Sequence, residues 1–138
     1  MTTTFTSSIE VGASPDRVFG YFVRPEALLT WIGDHAVLDA RPGGEFTLDI
    51  QGIPVRGRYV VVDHPNRILV SWGHAGSESM PPASTEVEFG FTATPTGTLV
   101  TVEHRGLPDE HVGSHRVGWP MFLGRLAEAV RVRDATPG

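Results

Sequence analysis

The sequence predicts an α+β fold: a curved antiparallel sheet of six to seven strands around a long C-terminal helix, with two short helices after the first strand. Three observations predict it. The chain opens on a stretch that alternates apolar and polar residues, continues with two proline-headed helix starts, and then meanders through short alternating segments into one long segment of helical 3/4 spacing. At 138 residues it suits a single domain, 1–138. A domain of about this size can bury roughly 70% of its unfolded surface without a staple.

Phe5, Ser7, Ile9 and Val11 set the alternation of the first strand, which ends at Gly12. Ser14 then offers an N-cap hydroxyl, Pro15 a preset φ and Asp16 a first-turn carboxylate, so a helix starts there and buries Val18, Phe19 and Phe22. Arg24-Pro25 breaks it, and a second short helix places Leu28, Trp31 and Ile32 on one side before Gly33 closes it. Turn residues then punctuate the chain at 41–44, Gly52, 64–67, 75–83 and 94–97. Between them Phe46/Leu48/Ile50, Ile68/Val70/Trp72, Val87/Phe89/Phe91 and Val100/Val102/His104 give each strand one apolar face. Tyr59-Val-Val-Val62 breaks the alternation and predicts a bulge. The long loop 73–84, with two adjacent prolines, is a candidate lid. From about Asp109 to Val132 the apolar positions fall at helical spacing, with Pro120 inside, where it should bend the helix near 116–119 and open a cavity. Asp134 to Gly138 reads as a frayed tail.

Composition excludes several functions. With no cysteine there is no disulfide, thiolate metal site or cysteine nucleophile. All 11 basic side chains are arginine, so lysine Schiff-base chemistry is out as well. A net charge of -5 without a basic run provides no footprint for nucleic acid or anionic lipid. No apolar run spans a bilayer and the start lacks a signal-peptide pattern, so a cytoplasmic protein without a membrane partner is expected. No nucleophile elbow, phosphate loop, dinucleotide fingerprint or carboxylate dyad is present, and no cofactor is implied.

Ordered motifs along residues 5 to 130 carry a resemblance. They are Ser14-Pro-Asp-Arg-Val18 with Phe19, Pro25-Glu26 with Trp31, Gly43-Gly44-Glu-Phe46 and Gly57. They continue with Pro65, Arg67-Ile-Leu-Val-Ser-Trp72, Ser84, Gly97-Thr98, His104-Arg-Gly106, and His115 with Gly118-Trp119. The set resembles the START-like, or SRPBCC, superfamily, and within it the family named after the activator of the heat-shock protein 90 ATPase. The resemblance implies the helix-grip fold, with a cavity between sheet and terminal helix, in a family that includes hydrophobic-ligand binders, polyketide cyclases and co-chaperones. The co-chaperone has a further N-terminal domain for which this chain has no room, which weakens the expectation of a chaperone partner. A homodimer is compatible with all of this.

The expected ligand is a small hydrophobic or aromatic molecule, contacted by Trp31, Phe46, Tyr59, Trp72, Phe89, Phe91, Trp119, Phe122 and Leu123, and by His104 and His115. The same aromatics could equally fill the core. His104 and His115 are also the catalytic candidates in a cyclase-like alternative, since a near-neutral pKa suits proton transfer. Against this, His104 could simply pack in the core. His111 and His115 have i, i+4 spacing, but without an acidic third ligand or an HExxH pattern no metal site is expected.

Overall fold

The computed structural model describes residues 2–135. β1 (Thr2–Val11) leads into α1 (Pro15–Val23), whose first turn is capped by Ser14 Oγ accepting the Arg17 N–H at 3.4 Å. α2 (Pro25–Leu28) is shorter than expected, and the chain carries on in turns until Ile32 N–H donates to the Leu28 carbonyl. Gly33, at φ +84°, then turns it into the sheet, a left-handed conformation that favours glycine.

The sheet contains β2 (His35–Leu38), β3 (Glu45–Ile50), β4 (Ile53–Asp63), β5 (Arg67–Trp72), β6 (Thr85–Thr94) and β7 (Gly97–Pro108). With β1 they form seven strands in the order β1-β7-β6-β5-β4-β3-β2, and every neighbouring pair is antiparallel. The alternating triplets read from the sequence face inward: Val100, Val102 and His104 are fully or almost fully buried, as are Val87 and Ile68. The register slips between Tyr59 and Val61 where the bulge is expected, with Tyr59 buried and Val60 exposed.

β4 changes partners along its length, and this positions the site. Ile53 to Arg58 pair with β3, whereas Tyr59 to Asp63 pair with β5. At the changeover the backbones approach so closely that a Cβ on Gly57 would lie 1.8 Å from the Ser71 carbonyl oxygen. Gly57→Ala should therefore cost about 1–3 kcal/mol as the strands are forced apart; an unchanged urea midpoint would show that the crossing has slack.

Beyond the changeover the first half of β4 has an open edge, and segment 73–84 takes it. Arg56 N–H donates to the Gly73 carbonyl (2.8 Å), Ala75 N–H donates to that of Pro54 (2.9 Å), and Val55 bridges His74. Met80 is fully buried beneath the loop. The candidate lid is thus bonded to the sheet: backbone hydrogen bonds and a buried methionine pin the segment to β4.

α3 (Asp109–Ala135) turns Trp119, Leu123, Leu126 and Val130 inward, while Val117 is 71% exposed. The helix runs unbroken through Pro120, which lies exposed, so the lost hydrogen bond falls on the outer face where water can serve the freed carbonyl. The tail expected at 134–138 overlaps the end of α3, and residues 136–138 lie outside those described.

Candidate functional site

The space between sheet and helix is divided in two. At the middle of the sheet, rings from both layers close over a void of about 10 Å³, scarcely the room of one water molecule. Trp31, Phe46, Tyr59 and Phe89 line that void and are buried. The polar tips of two of them are spent on α1: Trp31 Nε1–H donates to the Tyr21 carbonyl and Tyr59 O–H to that of Phe22, each at 3.0 Å. Burial, with Asp39 nearby, pushes the Tyr59 phenol above its ordinary range, so it stays protonated. These side chains form the core of the grip.

The second space is a cavity of about 200 Å³ at the end of the sheet, under the first half of α3. Its walls are apolar: Ile32, the β3–β4 hairpin residues Ile50 and Ile53, Val55, and the rings of Trp72, Trp119 and Phe122. The hairpin tip turns through Gln51 and Gly52 at φ +49° and +83°, and Asp34 accepts the Gln51 N–H at 2.7 Å, which holds the tip over the mouth. Exposed Gln51, Ile53 and Ser114 leave that mouth open to solvent. Trp72 and Trp119, whose ring centroids lie 5.3 Å apart, line both spaces.

Of the residues expected from sequence, the cavity gathers Trp72, His115, Trp119 and Phe122. Phe91 packs against Phe19 and Phe22, and Leu123 and His104 lie in the buried interior, lining neither space. His74, which sequence reasoning missed, enters the cavity wall from the pinned segment. The signal was there: His74 continues the Ile68/Val70/Trp72 alternation by one more step, past Gly73.

The histidines differ sharply in what they can do. His104 Nδ1 accepts the Trp119 Nε1–H at 3.1 Å, so in the neutral ring the proton sits on Nε2, which donates to Thr85 Oγ1 at 2.8 Å. Thr85 passes the chain on to the Trp72 carbonyl at 2.7 Å. Both ring nitrogens are thereby committed, and burial, reinforced by His115 and His74, holds His104 down to about 3. His115 is open by contrast. Its Nδ1–H is held by the His111 carbonyl at 2.8 Å, which leaves Nε2 as an acceptor in a ring that lines the cavity. Burial lowers the pKa of His115 and of His74, which stacks on it with ring centroids 6.3 Å apart. His111 bonds Ser79 Oγ at 2.7 Å and so ties segment 73–84 to α3. Among the described residues no group of three or more histidines and carboxylates is arranged to hold a metal ion, and no helix is long and apolar enough to cross a membrane.

This architecture matches the family described as activator of Hsp90 ATPase homolog 1-like protein over residues 12–131. The chain belongs to that family. Among solved structures it is similar to the AHSA1-like protein RHE_CH02687 from Rhizobium etli, at 34% identity and TM-score 0.78, over 99% of this chain and 87% of that one. CalU16 from Micromonospora echinospora has 26% identity and TM-score 0.78, over 99% and 78% of the two chains. Aha1 from Colwellia psychrerythraea, solved as a dimer, shares the family fold at 19% identity and TM-score 0.81, over 94% and 97%. No curated protein matches the chain significantly.

Proposed function

We propose that this member of the family binds a small hydrophobic or aromatic molecule in the open cavity between the β3–β4 hairpin and α3. One observation carries the reading: the cavity is apolar and open, yet its wall includes the ring of His115, whose Nε2 no described residue serves. An apolar wall with a few convergent polar groups is the usual form of a small-molecule site. In this reading the contact residues are Trp72, His115, Trp119 and Phe122, which line the cavity, whereas Tyr59, Trp31 and His104, which do not line it, support the site from the core.

Gly118 provides a direct test. It lines the cavity, and a Cβ there would meet nothing closer than Phe122 at 3.8 Å, so a larger side chain can grow into the open space. Gly118→Leu should fill the cavity and abolish binding of a probe such as ethylbenzene, while helix propensity raises stability by up to about 1 kcal/mol. Ethylbenzene titrated into the unaltered protein should shift the amide resonances of Ile53, His115 and Phe122. Equal shifts in the filled variant would place the ligand elsewhere.

A second reading, proton transfer of the cyclase kind, is favoured by the free Nε2 of His115 alone. It requires that His115→Phe abolish turnover while retaining binding, and unchanged turnover would remove it.

A further inference from the structure

His74, Ser114 and His115 form a polar end to the otherwise apolar cavity wall. His74 stacks on His115, and Ser114 Oγ lies 3.3 Å from His115 Nδ1. Ser114 spends its proton on the His111 carbonyl at 3.0 Å, and the same carbonyl takes the His115 Nδ1–H at 2.8 Å. A carbonyl oxygen can only accept, so the proton of the neutral His115 ring is fixed on Nδ1 and Nε2 is a lone pair. No described residue bonds that lone pair. Water can reach it, because among the described residues the buried side-chain polar atoms that are both sealed and unbonded are Arg67 Nε and Trp72 Nε1, and His115 Nε2 is neither. The ring is half-buried and forms part of the cavity wall. His74 adds a second free group at this end: its ring nitrogens bond no described residue, and a neutral imidazole carries one N–H.

Size and charge narrow what such a wall accommodates, given the reading that the cavity binds a small molecule, on which this step rests. A dry cavity of about 150 Å³ accommodates one benzene ring, so about 200 Å³ holds one ring with a short substituent. No carboxylate and no arginine lines the cavity, and burial lowers the pKa of His115 and of His74, so near pH 7.5 an ionic ligand meets no opposite charge there. The rings of Trp72, Trp119 and Phe122 favour an aromatic body. A hydroxyl donates to a lone pair and still accepts from an N–H, whereas a ketone or an ether can only accept.

We propose that the cavity is selective for a neutral phenol, a single aromatic ring whose hydroxyl donates to His115 Nε2. The ring packs on the apolar wall, and the hydroxyl oxygen keeps its own lone pairs for the His74 N–H or for water at the mouth. Phenols titrate near 10, so the donated proton is present at neutral pH.

The test uses the three ring isomers of ethylphenol, the corresponding ethylanisoles, acetophenone and ethylbenzene, titrated at pH 7.5 into the whole chain and followed by the amide resonances of Ile53, His115 and Phe122. At least one ethylphenol should bind about 10-fold or more tightly than its methyl ether and than acetophenone, and more tightly than ethylbenzene. That ethylphenol should also move the nitrogen resonance of His115 Nε2, which its ether leaves in place. His115→Phe should bring phenol and ether to comparable affinity. Because the series and the Nε2 resonance are read on the unaltered protein, the result does not depend on the variant folding. Ethers or acetophenone that bind as tightly as the phenols would overturn the hydroxyl assignment, and an Nε2 resonance indifferent to a tightly bound phenol would overturn His115 as its acceptor. If ethylbenzene binds in the cavity and no hydroxyl improves on it, this inference falls while the pocket reading stands. If no probe, ethylbenzene included, perturbs the cavity residues, both fall.

Discussion

Trp119→Ala should remove more stability than any other substitution at the site, about 3–5 kcal/mol for the lost indole and a further 1–3 kcal/mol for the acceptor it strands. The reasoning starts from position. Trp119 is 3% exposed and packs on Trp72, Phe89 and His104 with centroid separations of 5.3, 5.8 and 6.0 Å. Among the described residues it is also the sole donor to His104 Nδ1. Truncation therefore opens a hole and leaves a buried ring nitrogen unbonded at the same point. Against a typical total of about 5–15 kcal/mol for a domain, the loss should lower the urea midpoint by roughly half or more. Trp119→Phe separates the two contributions, since it preserves most of the volume and drops only the hydrogen bond. A loss below about 2 kcal/mol for the alanine variant would show that the neighbouring rings collapse into the space. Trp119 also lines both the open cavity and the sealed void, so the surviving alanine variant should admit a larger ligand.

That dual position explains which parts of the site were legible in the sequence. Strand alternation is a local signal, and it correctly placed Trp72 and His104 on the inner face and the irregularity at residues 59–62. The Ser14 cap and the helical spacing of Trp119, Leu123 and Leu126 are equally local. Whether an inward aromatic fills the core or walls a cavity depends on tertiary contacts. Trp31 and Tyr59 belong to the core because their polar tips reach the Tyr21 and Phe22 carbonyls of α1, contacts made across the fold. His74 was hidden for a related reason. Glycine, serine and proline give segment 73–84 the composition of a loop, and only the partner change of β4 at Gly57 creates an edge for it to join. The division of the interior into a filled centre and an open end is thus a property of where β4 switches neighbours, which no single strand encodes.

The same His104 network makes the protein acid-labile through one identifiable group. In the unfolded chain a histidine titrates near 6.5, whereas burial holds folded His104 down to about 3, with His115 and His74 reinforcing the shift. Above pH 6.5 neither state takes the proton and the group contributes no slope. Between about 6.5 and 3 only the unfolded chain is protonated, so stability falls with pH by about 1.4 kcal/mol per unit, and below about 3 the folded state titrates too and the slope levels off. From pH 7 to pH 5 this amounts to about 2 kcal/mol from His104 alone. The groups facing it are the neutral Thr85, Trp72 and Trp119 and the two histidines, whose own lowered pKa values add to the fall in the same direction. Protonation is opposed by geometry as well as burial, because an imidazolium would turn two donors, its own Nδ1–H and the Trp119 N–H, against each other. His104→Gln offers an amide oxygen to Trp119 and an amide N–H to Thr85 without a titrating ring. Urea unfolding of both proteins between pH 7 and pH 5 should show a shallower decline for the glutamine variant, by about 2 kcal/mol over the interval. Parallel declines would mean that the proton taken up on unfolding belongs to another residue and that the folded ring of His104 accommodates charge.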